Sequence, residues 1–350
     1  MSGALPRALE DGLRLAMPFV AALLVGAILL AITGRDPFST YAELFNEALG
    51  GQSRIAATLT AATPLIFTGL ATAIAFRAGV FNVGVEGSFY LGGLAAAWVG
   101  FAWIGLGGTL QMLAALGFGA FVGGLWMLLP GWLRARMEVD EVVTTLMLNF
   151  IAIGIALWLV NGPLLAAGSA NSATPMVLPE ARLLRLIPPS TLNAGFLIGL
   201  AALVAYGVWL RLRVGGFENR LVGLNPRFAR SVGISVASVI LLAIVLSGVI
   251  GGLGGATHAL GVVGRFSEGF SPGYGFTGIA VALLGRNRPV GILIGALIFG
   301  ALTSAGTTVQ LFADIPLDLV QVLEGTVMML AVVEAVRWAR RRRAVRAVAP

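Results

Sequence analysis

One short segment, residues 76–87, combines a cation, an amide and a carboxylate with several glycines. It contains Arg77, Asn82 and Glu86, and long apolar runs flank it on both sides. Irregular backbone is tolerated at membrane depth only where protein buries it or where it lines a cavity. An ionisable group at that depth is costly and marks a functional site by default. The segment therefore predicts that Asn82, Glu86 and Ser88 line or gate a polar route for a solute.

A purely structural interpretation of the same segment is also open. Glu86 falls one or two residues into the next predicted helix, where a carboxylate complements the positive end of the helix dipole. The glycines would then permit close packing between helices. The residue types alone do not decide between a solute route and a helix cap.

The composition is that of a membrane protein. Of the 350 residues, 58% are hydrophobic and only 11% are charged, and the mean hydropathy is +0.93. Soluble domains carry roughly 25% charged residues, so this chain lacks the polar residues that would cover a water-facing surface. We predict an all-α, polytopic bundle of transmembrane helices, organised as one domain over residues 1–350.

The missing residue types exclude several kinds of chemistry. The chain has no cysteine, no lysine and a single histidine, His258. Without cysteine there is no disulfide, thiolate metal site or thiol nucleophile. A P-loop, the common ATP-binding motif, needs a lysine that reaches the phosphates of ATP, so a sequence without lysine cannot contain one. We therefore expect that this chain is not an enzyme and that it carries no catalytic residue, metal site or cofactor. If ATP drives the protein, ATP and Mg²⁺ bind to a partner chain.

Hydropathy, together with glycine and proline breaks, predicts about ten helices. As one helix, the uncharged stretch 87–133 would be about 70 Å long, roughly twice a bilayer core, so we divide it at the turn 105–108. The predicted helices cover residues 15–32, 55–76, two stretches within 87–133, 142–160, 191–210, 236–263, 276–285, 289–311 and 316–336.

The arginines are distributed unequally between the two sides of this topology. With both termini in the cytoplasm, 18 of the 23 lie inside, and the others are Arg35, Arg54, Arg182, Arg185 and Arg265. Cytoplasmic loops carry an excess of basic residues, which supports both the helix count and the orientation. The basic tail 337–350 is expected to contact anionic lipid, not nucleic acid.

Two glycine-rich helix beginnings, residues 84–93 and 273–280, are weakly similar. They lie five predicted helices apart, so the two units would have opposite topology. Paired interrupted segments at corresponding positions indicate a transport site. The pattern predicts an inverted repeat of helices 2–5 and 7–10, with a chance match as the alternative.

The polar loop 211–235 contains the signature of a short helix. Asn225 is a favourable N-cap, Pro226 a favourable first residue and Gly233 a favourable end. We predict a two-turn helix over residues 227–232 at the inner membrane face. A partner could then reach three of its side chains: Arg227, Phe228 and Arg230. The alternative is a capped connector whose arginines meet anionic lipid.

These segments resemble a known family. Residues 76–91, together with 222–226 and 229–234, are similar to the ribose/branched-chain-amino-acid class of ABC importer permeases, and most closely to its nucleoside/simple-sugar branch. The resemblance extends from the second to the tenth predicted helix. The run Phe-Arg-Ala-Gly-Val-Phe-Asn-Val-Gly-Val-Glu-Gly is its specific part.

The resemblance implies a permease subunit that imports a nucleoside or simple sugar. Its partners would be cytoplasmic ABC ATPases, a second permease that is homologous or identical, and an external solute-binding protein. The short helix would dock into a groove of the ATPase. The implied coupling residues are Glu218, Asn225, Pro226, Arg227, Phe228, Ala229, Arg230 and Gly233. Glu324, in the last predicted helix, departs from the neutral polar residue common in the family and is expected either to contact solute or to pair with an arginine.

A proton-coupled secondary transporter for a small polar solute is the alternative function. In that case Glu86, His258 or Glu324 would carry the coupling proton. This hypothesis predicts that the chain alone takes up solute when a pH gradient is applied, whereas the importer hypothesis requires an ATPase.

Overall fold

The computed structural model describes residues 20–312, except 22, 29, 33, 35, 106 and 170, together with residues 322, 325, 326 and 329. From Pro37 to Phe312 the described chain forms twelve α-helices and two isolated β-bridges, with no β-strand. The all-α prediction is confirmed. The chain divides into two compact units, one formed by Met1–Thr58 with Ala301–Pro350 and the other by Leu59–Gly300.

The helices are α1 (Pro37–Leu49), α2 (Gln52–Arg77), α3 (Val85–Ala102), α4 (Gly108–Trp126), α5 (Leu128–Met137), α6 (Glu141–Asn161), α7 (Gly195–Leu212), α8 (Val214–Leu224), α9 (Pro226–Ser231), α10 (Val236–His258), α11 (Tyr274–Leu284) and α12 (Pro289–Phe312). By length and apolar composition, six helical stretches of the described chain could cross a membrane. They are Gln52–Arg77, Gly108–Met137, Glu141–Asn161, Gly195–Leu212, Val236–Val263 and Pro289–Thr308.

The smaller unit contains α1, which the sequence analysis did not predict. Asp36 caps this helix, because its carboxylate accepts the backbone N–H of Ser39 at 2.9 Å, and this hydrogen bond lowers the pKa of the carboxyl group. Leu44 and Ala48 are buried and pack with Ala305 of α12. The remaining sides of α1 carry polar and apolar side chains alike, so its hydropathy does not distinguish it from a loop.

The larger unit is built around α3. Every residue from Val85 to Ala97 is buried, although a helix at a protein surface buries only one face. The close packing depends on glycine, since a Cβ on Gly92 would overlap the backbone of Gly252 in α10. A Cβ on Gly255 of α10 would likewise overlap the backbone carbonyl of Phe89.

A second glycine seam joins α10 to α4. A Cβ on Gly252 would overlap the carbonyl oxygen of Gly119 and lie 2.9 Å from Gly123 Cα. A Cβ on Gly248 would overlap the carbonyl oxygen of Gly123. Pairs of small residues four apart on both helices let the backbones approach closely, as is typical of membrane helices.

Most predicted helix breaks coincide with observed ones. α3 ends at Ala102 and α4 begins at Gly108, on either side of the predicted turn. The predicted helix 236–263 is α10 followed by a π-helical turn, Ala259–Val263. The tail 337–350 and the predicted helix 316–336, apart from residues 322, 325, 326 and 329, lie outside the described residues, as does part of the predicted helix 15–32.

Candidate functional site

The short helix α9 has the predicted capping. The side chain of Asn225 accepts the backbone N–H of Phe228 at 3.1 Å, and Pro226 occupies the first helical position. Gly233, two residues after the helix, has a φ of +86°, a conformation that glycine adopts without steric cost. The helix begins one residue earlier than predicted. The loop around it also contains α8, which the sequence analysis had left without structure.

One face of α9 is anchored in the protein. The side chain of Ala229 is fully buried and clusters with Val222 of α8 and Val236 of α10, both also buried. Because Ala229 points into the protein, it can hold α9 in place but cannot touch a partner while the helix remains seated.

The opposite face of α9 is open to a partner. The ring of Phe228 is 51% exposed and Val232 is 53% exposed. Most of the predicted coupling residues are exposed, namely Asn225, Pro226, Arg227, Phe228, Arg230 and Gly233. Glu218 is partly buried on α8. The result is an apolar patch beside two cations, mounted on a short, capped helix.

The segment before α3 forms a buried polar junction around Asn82. Its amide nitrogen donates to Ser247 Oγ of α10 at 2.9 Å. Its amide oxygen accepts the backbone N–H of Gly84 at 2.8 Å. The side chain is fully buried, so both halves of the amide hold the irregular backbone against α10.

Helix α6 completes this junction. Asn149 accepts the backbone N–H of Gly87 and donates to the carbonyl of Val83, both at 2.9 Å. Thr145 accepts the backbone N–H of Val83 at 3.2 Å. The sequence analysis did not single out these partners or Ser247, although each is a polar residue inside an apolar helix and could have been noticed on that ground.

Glu86 connects the two similar glycine-rich segments. Its carboxylate accepts the backbone N–H of Gly275, in the first turn of α11, and its side chain is 2% exposed. A Cβ on Gly275 would lie 2.5 Å from the backbone nitrogen of Glu86. The carboxylate therefore lies at the positive end of α11, which favours negative charge.

Of the predicted route residues, the structure brings Asn82, Glu86 and Ser88 together. Ser88 is fully buried and donates to the carbonyl of Gly84 at 3.3 Å. Each of the three makes a hydrogen bond with a protein group. The Glu86 carboxylate binds at the start of α11, whereas the structural interpretation placed its charge at the start of its own helix, α3. Glu324 lies outside the described residues.

Removing the Glu86 carboxylate should destabilise the protein. In Glu86→Ala the N–H of Gly275 loses its buried acceptor, and an unpaired buried group costs about 1–3 kcal/mol. Glu86→Gln keeps an acceptor oxygen and should lose less. The measurement is the thermal unfolding midpoint in detergent. Equal midpoints for the alanine variant and the wild type would contradict the assigned contact.

The surroundings of His258 are aromatic. Its ring centroid lies 5.1 Å from that of Phe270, 5.4 Å from Tyr274 and 5.8 Å from Phe89. Within the part of the chain that the structure describes, no cluster of three or more histidine, aspartate or glutamate side chains could hold a metal ion.

Two loops pair beyond the end of α10, on the side away from α9. Thr174 donates its backbone N–H to Phe266 at 2.8 Å, and Glu268 donates its own to Ser172 at the same distance. With its π-helical turn, α10 has 28 residues, which is about 42 Å and more than the thickness of a bilayer core. These loops and α9 therefore lie at opposite ends of a helix that is long enough to cross a membrane.

Long apolar helices that pack around a buried polar segment of irregular backbone are the architecture of a membrane transport protein. The family model described as "Branched-chain amino acid transport system / permease component" matches residues 54–332. The chain belongs to this family, and it is accordingly a permease component and not an enzyme.

Curated relatives agree with this assignment. The chain is 36% identical to the glucose ABC transporter permease protein TsgB13 of Haloferax volcanii, over 89% of this chain and 85% of that protein. It is 33% identical to the guanosine ABC transporter permease protein NupP of Bacillus subtilis, over 90% and 92%. It is also 33% identical to the nucleoside ABC transporter permease protein NupB of Lactococcus lactis, over 90% and 89%.

Proposed function

We propose that this chain is the membrane subunit of an ATP-driven importer for a nucleoside or a simple sugar. The observation that carries the proposal is the capped, anchored helix α9, which presents Phe228 beside exposed arginines. The solute class is supported by relatives whose names specify glucose, guanosine and nucleosides. ATP and Mg²⁺ would bind to a separate ABC ATPase, and no cofactor is assigned to this chain.

The proposed cycle is mechanical. Closure of an ATPase dimer in the cytoplasm would push on α9, and the buried Ala229 anchor would pass the push into the membrane helices. A second permease, identical or homologous, would form the other wall of the route. An external solute-binding protein would deliver the solute at the opposite surface, on which the paired loops would lie.

The finer topology is part of the same proposal. The chain would have about ten helices in the bacterial inner membrane, both termini in the cytoplasm, one permease domain over residues 1–350, and anionic lipid against the basic tail. An inverted repeat would relate the segments beginning at Gly84 and Gly273. The hydrogen bond between Glu86 and Gly275 supports this relation, because it joins the two segments at corresponding places.

For the polar junction we propose an indirect role in transport. Asn82, Glu86 and Ser88 would hold the wall of the route instead of binding the solute, since the hydrogen bonds described above engage them with the protein itself. Glu324 stays a predicted route residue.

Reconstitution tests the proposed function. The chain, its second permease and the ATPase are placed in proteoliposomes with the loaded binding protein, and uptake of radiolabelled guanosine and glucose is measured. We expect uptake of one of them that depends on ATP and disappears without the ATPase. Uptake by the chain alone under a pH gradient would overturn the proposal and support the secondary transporter.

A further inference from the structure

Helix α8 touches the end of α2 through backbone atoms. A Cβ on Gly223 would overlap the carbonyl oxygen of Arg77 and lie 2.9 Å from the nitrogen of Gly79. Seen from the other side, a Cβ on Gly79 would lie 3.2 Å from Gly223 Cα. Gly79 has a φ of +81°, a conformation that a side chain would strain. Two glycines therefore bring two main chains into direct contact.

A buried side chain fixes the same contact one turn away. Asn219 of α8 is 2% exposed, and its amide nitrogen donates to the carbonyl of Ile74 at 3.3 Å. This carbonyl belongs to the last turn of α2, whose carbonyl groups lack partners within the helix. Asn219 thus holds α8 in register with the end of α2.

The contact lies one residue away from the anchor of α9. Val222, which directly precedes Gly223, is fully buried against Ala229 of α9. On the other side, the chain runs from Gly79 directly to Asn82 and into α3. Only a few close contacts therefore separate α9 from residues 76–87.

We infer that Gly223 and Asn219 are positioning residues, which pass the displacement of α9 to residues 76–87 during each ATPase cycle. The inference rests on the proposed function. Its physical reason is the absence of a flexible side chain at the glycine contact. Closely packed groups transmit strain, whereas a long side chain could change rotamer and absorb the movement.

The test compares two glycine-to-alanine variants of α8 in the complete transporter. Gly223→Ala must separate the two backbones. Gly215→Ala is the matched control, because a Cβ there would lie 3.4 Å from Trp209 Nε1, an ordinary contact distance. In Gly223→Ala we expect ATP hydrolysis to continue while solute moved per ATP falls about tenfold, a loss typical of coupling between sites. The control should keep the wild-type ratio.

A second variant tests the inference if Gly223→Ala does not fold. Asn219→Ala only removes atoms, so it introduces no clash, and it should also lower the ratio of solute moved to ATP hydrolysed. A role confined to folding would reduce uptake and hydrolysis together as less transporter forms, leaving their ratio unchanged. Wild-type ratios in every folded variant overturn the inference. Failure of the wild type to show ATP-driven uptake would instead overturn the proposed function.

Discussion

Replacing Phe228 with aspartate is expected to abolish ATP-driven uptake while the protein still folds and inserts. The ring is about half exposed and lies outside the buried cluster that anchors α9, so its loss removes little from the fold. An aromatic anchor in a partner's pocket typically contributes about 2 kcal/mol or more, and a carboxylate would also have to be desolvated. We expect the affinity for the ATPase to fall about 30-fold or more.

The conservative variant Phe228→Leu is the matched control, since it keeps an apolar side chain on the same capped helix. It should retain most of the uptake. Copurification with the ATPase separates loss of docking from loss of transport. Normal uptake by Phe228→Asp would remove Phe228 from the docking surface.

Replacing Gly252 with leucine should prevent the larger unit from folding. At this position a side chain meets main-chain atoms of both Gly119 and Gly123. Overpacking costs roughly 1–3 kcal/mol where side chains can shift. The cost here should be at the upper end or above, because two helix backbones would have to separate. The measurement is size-exclusion chromatography after extraction into detergent, in which the monodisperse peak should disappear.

Gly154→Leu is the control for this prediction. Gly154 lies on α6, and a Cβ there would meet no atom within 4 Å outside its own helix. The same change of residue should therefore leave the peak intact. A normal peak for Gly252→Leu would mean that α10 and α4 do not pack as described.

Local features of the fold could be predicted from the sequence because they depend on neighbouring residues. Asn225 and Pro226 determine where α9 begins, and the glycines at 105–108 separate α3 from α4. Helix α8 was missed because charges surround it, although its buried residues Gly216, Asn219 and Val222 recur every third position and could have revealed a helix.

The contacts that define the candidate site could not be predicted in this way. Glu86 and Gly275 are 189 residues apart in the chain, and neither residue type indicates the other. The environment of Asn82 likewise depends on Ser247, 165 residues away. Only the packing of α3 against α10 brings these groups together, and the glycine spacing that permits close packing does not indicate which helix the partner will be.

The burial of α3 also affects how the protein must be made. This helix is buried on every side from Val85 to Ala97 and carries Glu86 and Ser88 near its start, so neighbouring helices, and not lipid, accommodate its polar side chains. Helix α10, one of the main neighbours of α3, leaves the ribosome on the order of 10 s after α3 at bacterial synthesis rates. During that interval the nascent α3 must remain beside the translocon, a chaperone or α4, so biogenesis of this protein is expected to be sensitive to the speed of translation.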